Sequence, residues 1–222
     1  MSGLAKWMVE PILADDQVGR LETRPRWYVT RLAVEFKHVG LSRAFGSTYT
    51  REIDFIEEDW LSRINNNLVK TFVAVPSNDR RRVLSTTSLI GSLPNRDPES
   101  NSFQACTEMT SASDQHHNRI EASPLSFQLS SVYTTPEARG KGITKAVVNT
   151  AVEEAVVYDK QQNRKLNLSV VVYASNHAAI AFYQSCSFVP DVEGPRTFFN
   201  SHKNCYEVEL CTYALLQISR MT

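Results

Sequence analysis

Neither sign of charge prevails in this sequence. Over 222 residues Lys and Arg total 24 and Asp and Glu total 24, so the net charge is zero. A dedicated nucleic-acid or anionic-membrane binder needs a basic excess or stripe, and none is present. The one dense basic run, Arg80-Arg81-Arg82, follows Asp79 in a turn and reads as a solvated loop. No apolar run approaches the ~20 residues that span a bilayer. The opening MSGLAKWMVEPILADD has no long apolar core and meets acids early, unlike a secretory signal. Cysteine is scarce and unpatterned: Cys106, Cys186, Cys205 and Cys211 show no C-x-x-C spacing, and the five histidines are scattered. His116-His117 has no partner spacing to make a metal site. These absences predict a reduced, soluble, cytoplasmic chain with free thiols, no metal, and no nucleic-acid or membrane partner.

What is present is an ordered alternation of patterns. Residues 1–25, interrupted by Pro11, Asp15-Asp16 and Pro25, read as an N-terminal extension; residues 26–222 read as the domain. Arg26 to Ala33 is β-branched and aromatic and predicts a first strand. Lys37 to Leu68 predicts broken helix, with Ile56, Trp60, Leu61 and Ile64 on one face and acids on the other. Thr71 to Val75 and Val83 to Leu93 predict two strands in a hairpin. Residues 94–124 hold three prolines and few aliphatic side chains, which predicts a polar, mobile insertion able to act as a lid. Leu125 to Thr134 is a strand with Leu125, Phe127 and Leu129 alternating to one face. Ile143 to Tyr158 follows at helical spacing, and Leu166, Leu168, Val170 and Val172 alternate in a strand. Strand, helix, strand in that order predicts parallel neighbours in a β-α-β unit. Asn176 caps a short helix carrying Ala179, Phe182, Tyr183 and Cys186, and two strands follow, near Phe188 and from Tyr206 to Leu216. The order predicts an α/β domain around one mixed sheet.

Between the Leu125–Thr134 strand and the helix lies Arg139-Gly140-Lys141-Gly142-Ile143-Thr144. A glycine turn into a helix presents unpaired N–H groups at the positive end of the helix dipole, which suits a phosphate. It is not a nucleoside-triphosphate loop, because Lys141 precedes Gly142 instead of following it. Nor is it a dinucleotide fingerprint, because position 145 is lysine where a third glycine would stand.

Three stretches together resemble the GNAT-type N-acetyltransferase superfamily. Val132-Tyr133-Thr134-Thr135-Pro136-Glu137-Ala138-Arg139-Gly140-Lys141-Gly142-Ile143 is similar to the family's strand, Pro-Glu turn and R-x-x-G-x-G/A loop. Asn176 to Tyr183 is similar to its N-x-x-A-x-x-x-Y helix, and Ser187-Phe188 stands where the family has Gly-Phe. The resemblance implies a single mixed, mostly antiparallel sheet of about six or seven strands flanked by helices, with a splayed parallel strand pair at the cofactor site. It implies acetyl-CoA as cosubstrate, with its pyrophosphate on Arg139, Gly140, Lys141, Gly142, Ile143 and Thr144. Its pantetheine arm would lie against Val132, Tyr133 and Thr134, and near Asn176 and Ala179. Tyr183 would be the catalytic acid that protonates the departing thiolate, a task a phenol suits because it is protonated at neutral pH. Without the resemblance, spacing favours Tyr183 with Phe182 as an apolar helix face, leaves Asn176 evenly between cap and ligand contact, and reads Cys186 as core.

Thr144 departs from the small residue that ends the family's loop, and Ser187 from its glycine. No general base is identifiable: Gln128 and Ser130 offer no carboxylate, leaving Glu52, Asp54, Glu57 or Glu121 to reach in. The function expected is acetyl transfer to a primary amine of a small molecule, with a protein amine or a silent CoA-binding module as alternatives, in a monomer or homodimer.

Overall fold

The computed structural model describes residues 6–11, 66–80, 82–93, 125–162, 165–201 and 203–214. The strand expected at 26–33, nearly all of the helical stretch 37–68 and the insertion at 94–124 lie outside them. The last of that helical stretch, Asn66–Leu68, is a turn in which Asn66 Oδ1 accepts from the Leu68 N–H at 2.9 Å. Among the described residues eight strands form one sheet: β1 (Trp7–Pro11), β2 (Val69–Pro76), β3 (Ser85–Leu93), β4 (Leu125–Thr134), β5 (Leu166–Tyr173), β6 (Phe188–Pro190), β7 (Arg196–Asn200) and β8 (Cys205–Ala214). Their order is β1-β2-β3-β4-β5-β8-β6, with β7 also on β8. Every pairing is antiparallel except β4 with β5. Two strands exceed the expectation. β1 arises inside the segment read as an extension, and its Pro11 is tolerated where β1 stands at the edge of the described strands. β7 is a five-residue strand hung on β8.

Helix α1 (Ile143–Gln162) crosses from β4 to β5. Its buried residues Ile143, Val147, Val148, Ala151 and Ala155 recur every three or four positions, so one stripe faces the sheet. Against it lie Leu125, Phe127 and Leu129 of β4 and Leu166, Leu168, Val170 and Val172 of β5, all in one core. Leu129 is 1% exposed, and burying a leucine to that extent contributes about 1.5–3 kcal/mol. Phe127 meets Tyr158 edge-on at 5.5 Å. The other face of the central strands carries buried Thr86, Ser88 and Gln128 beside buried Ile90 and Tyr133, so it is more mixed than the aliphatic face beneath α1.

The turn between β2 and β3 holds the basic run. Arg80 pairs with Glu10, and Arg82 pairs with Glu137 at 3.1 Å; both arginines face solvent. Helix α2 (His177–Ser185) follows β5, begins at the Asn176 cap and ends at Cys186. Next, Ser187 adopts a left-handed φ of 67°. A serine there meets the steric cost that glycine escapes, so the Gly-to-Ser departure does carry a backbone consequence.

Two stability predictions follow from the backbone. A Cβ at Gly91 would lie 2.3 Å from Cδ1 of Phe127, so Gly91→Ala should destabilise the protein by about 1–3 kcal/mol in urea unfolding. An unchanged midpoint would contradict the close approach. Ser187→Gly should stabilise by about 0.5–1 kcal/mol, with Ser187→Ala near neutral; equal midpoints for glycine and alanine would refute the strain.

Candidate functional site

β4 and β5 begin as a parallel pair and then part. Pairing runs from Leu125 with Leu166 to Leu129 with Val170 and stops there. β4 continues to Thr134 along β3, while β5 continues to Tyr173 along β8. The cause on the β4 side is local. The β3–β4 register shifts between Thr86 and Ser88, where Ser88 faces Ser130 but Thr86 faces Tyr133. The additional residue falls beside Ser131, whose φ is 52°. Such a bulge bends its strand and reverses the alternation of side chains. Val132 therefore packs with the α1 core, and Thr134 turns to the start of α1. The parting matches the splayed parallel pair that the resemblance implies.

At the end of β4 a single 3-10 turn, Pro136–Ala138, leads into the glycine loop. Gly140 and Gly142 have φ of 71° and 76°, and a Cβ on either would meet nothing within 4 Å. The glycines are thus required by conformation, and the space they leave is open. Arg139 is exposed and its Nε donates to the Thr134 carbonyl at 3.2 Å; Lys141 is exposed. Ile143 is 1% exposed, so its side chain belongs to the core and only its backbone faces the loop. The first intrahelical bond is from Ala146 N–H to the Gly142 carbonyl. The amides of the preceding turn have no helical partner, and no acid stands in that turn. Positive-φ glycines, a helix start and two cations make a cradle whose chemistry fits a pyrophosphate.

Across the opening, the Asn176 side chain accepts from Ala179 N–H at 3.2 Å, and its backbone N–H donates to the Tyr173 carbonyl at 2.9 Å. Its amide NH₂ remains for a ligand, so capping and binding are compatible. Two turns on, Tyr183 is 4% exposed and packs edge-on against Phe182 and Phe188 at 5.2 and 5.6 Å. Burial, with Cys186 close by, pushes its phenol well above the ordinary 10. The phenol therefore stays protonated. Burial also raises the Cys186 thiol, which disfavours the thiolate that a covalent acyl-cysteine would need. Lys145, in the first turn of α1, donates to the Ser185 carbonyl at 3.3 Å, and so caps α2 and joins the two helices beside the loop.

One cluster escaped the sequence reading. Tyr173, at the free end of β5, stacks on Phe198 at 6.2 Å. Its hydroxyl accepts from Asn200 Nδ2 at 3.3 Å and from Lys203 Nζ at 3.4 Å, and it donates to Glu207. Asn200 and Lys203 also bond the Glu207 carboxylate at 2.6 and 2.9 Å. Burial and the Glu207 carboxylate raise the Tyr173 phenol far above its usual range. Partial burial works to raise the Glu207 carboxyl, but hydrogen bonds from Lys203, Asn200 and Tyr173 outweigh it and hold it below 4.5. The cluster pins the β7–β8 hairpin to the lip of the opening. Glu52, Asp54, Glu57 and Glu121 lie outside the described residues. Among the described residues no group of three or more acidic, histidine or cysteine side chains could hold a metal.

Residues 98–188 match the Acetyltransferase (GNAT) family. No curated protein matches the sequence. Among solved structures, Arabidopsis thaliana NAA60 in complex with acetyl-CoA is 14% identical over 94% of this chain and 97% of its own, with a TM-score of 0.59. Vibrio cholerae spermidine N-acetyltransferase in complex with CoA and spermine is 15% identical over 93% and 94%, with a TM-score of 0.55. Brucella melitensis ribosomal-protein-alanine N-acetyltransferase is 17% identical over 94% and 99%, with a TM-score of 0.53. At these identities the likeness is one of fold.

The hairpin anchor predicts a pH signature. Because the folded-state Glu207 carboxyl is lowered, its contribution is complete above the ordinary carboxylate range and fades as pH falls through the lowered value. Glu207→Gln should cost about 1–2 kcal/mol near neutral pH, and the gap to wild type should narrow at a pH well below the ordinary carboxylate range. Urea titrations at both pH values check this; a gap constant with pH would refute it.

Proposed function

We propose that this chain, which carries an acetyltransferase domain of the GNAT family, moves an acetyl group from acetyl-CoA directly to a primary amine, with a small molecule as acceptor. The observation that carries the proposal is the parting of β4 and β5 beside a positive-φ glycine loop. An extended polar arm finds the stretches of β4 and β5 that have ceased to pair with each other, and an anion finds amides and cations at the loop. When bound, acetyl-CoA supplies the activated acetyl group as a thioester.

The chain's own residues divide the work. Backbone amides from Gly140 to Thr144 hold the pyrophosphate, and Arg139 and Lys141 add charge at its edge. Val132, Tyr133 and Thr134 on one lip, and Asn176 and Ala179 on the other, line the arm. Tyr183 keeps its proton at the hydroxyl until the departing sulfur needs it; burial holds that proton in place and makes the phenol a weaker donor than an ordinary tyrosine. Hydrophobic packing by Phe182 and Phe188 fixes the ring so that the proton is delivered from one direction.

The acceptor distinguishes two readings. The similar folds include a spermidine acetyltransferase and a ribosomal-protein-alanine acetyltransferase, so polyamines and peptide N-termini both belong in the assay. Purified protein with acetyl-CoA and that panel should release thiol with a small amine. Turnover confined to peptides would transfer the proposal to protein acetylation. CoA binding with no turnover would leave a silent binding module.

Tyr183→Phe should lower kcat at least about tenfold and leave acetyl-CoA affinity within about twofold. The pH–rate profile should show no fall on the alkaline side below pH 10 that vanishes in Tyr183→Phe. Unchanged kcat in the variant would remove Tyr183 from the chemistry.

A further inference from the structure

The residue that ends the glycine loop turns its hydroxyl away from the loop's ligand side and into the sheet. Thr144 Oγ1 lies 2.6 Å from Thr134 Oγ1, Thr134 Oγ1 lies 2.8 Å from Ser85 Oγ, and Ser85 Oγ donates to the Tyr133 carbonyl at 2.8 Å. Each hydroxyl has one proton to give. Ser85 commits its proton to a carbonyl, which can only accept, so Thr134 must donate to Ser85. Thr134 then has none left, and the shortest contact is donated by Thr144. The chain of donors runs one way, from Thr144 through Thr134 and Ser85 to the Tyr133 carbonyl. It crosses from α1 to β4 to β3. Ser85 is 0% and Thr134 8% exposed, so water competes little for these bonds and each polarises the next.

We infer that Thr144 is a positioning residue: its hydroxyl ties the first turn of α1 to the lip of the opening and fixes the loop's backbone amides before an acyl-CoA arrives. With its proton committed inward, that hydroxyl has no hydrogen to offer a phosphate oxygen, so Thr144 serves the anion through its backbone alone. The inference rests on the acyl-CoA reading for the identity of the ligand, not for the tether itself. A loop ordered in advance binds more tightly than one ordered by its ligand, because less conformational freedom is lost on binding. An alanine or glycine at 144 would fit the loop's shape and leave the Thr134 oxygen without its donor.

Thr144→Val keeps the branched shape and removes the hydroxyl, whereas Thr144→Ser keeps the hydroxyl. Amide hydrogen exchange over residues 140–146 in the ligand-free protein reads the tether, and calorimetry with acetyl-CoA reads its effect on binding. Thr144→Val should speed exchange in that segment and weaken acetyl-CoA about three- to tenfold, with the change in KM rather than kcat. Thr144→Ser should restore both to within about twofold of wild type. Combining Thr144→Val with Thr134→Val should add nothing to Thr134→Val alone. Unchanged exchange in Thr144→Val overturns the tether, and faster exchange with undiminished affinity overturns its role in binding. If the wild-type protein fails to bind acetyl-CoA, the reading of the loop's ligand fails separately, and the exchange comparison alone upholds or overturns the tether.

Discussion

The candidate site exists because of hydrogen bonds that β4 and β5 stop making. After Leu129 and Val170 each strand has another neighbour to follow, β3 for β4 and β8 for β5, and the two are drawn apart without losing their outer pairing. Two interior edges face each other across the gap. Backbone donors and acceptors in such a place are costly to leave unmatched, so the gap favours an extended polar guest. The insertion of one residue beside Ser131 is enough to set this up, because a bulge bends the strand and changes which side chains face the helix.

The surroundings of that gap are stiff. Beneath α1 the packed aliphatic residues of β4, β5 and the helix hold the loop's starting point, with Ile143 sunk in the core as its nail. Lys145 then joins the helix start to the end of α2, the helix that carries Tyr183. The glycine loop and Tyr183, the proposed acid, are thus carried by two helices joined through Lys145, both packed on one core. A catalytic arrangement needs this kind of support, since small displacements of a proton donor cost rate steeply.

Much of this layout was legible in the sequence, and the physical reason is local. The alternation of Leu125, Phe127 and Leu129, the helical recurrence from Ile143 to Ala155 and the cap at Asn176 are short-range patterns, and each element appears where its period places it. The glycines at 140 and 142 were legible because only a left-handed backbone calls for them there. What spacing could not show is long-range. Ser85 meets Thr134 only once β3 and β4 pair, and Tyr173 meets Asn200 and Glu207 only once the hairpin folds back. The bulge left no trace beyond two adjacent serines in a strand. β1 was obscured by its proline, and β7 by a brevity that gives alternation no room. The resemblance to the acetyltransferase family supplied roles for Tyr183 and Asn176 that their spacing alone left open.

The β7–β8 hairpin overhangs the sheet: β8 pairs with β5 from Glu209 onward, while its earlier residues pair only with β7 among the described strands. Its fastening is a single buried phenol, with Asn200, Lys203 and Glu207 gathered around it. The overhanging half of the hairpin is therefore tied to β5 through side chains, beyond the end of the backbone ladder between β5 and β8. How firmly that overhang is held against the sheet thus depends on where one tyrosine sits.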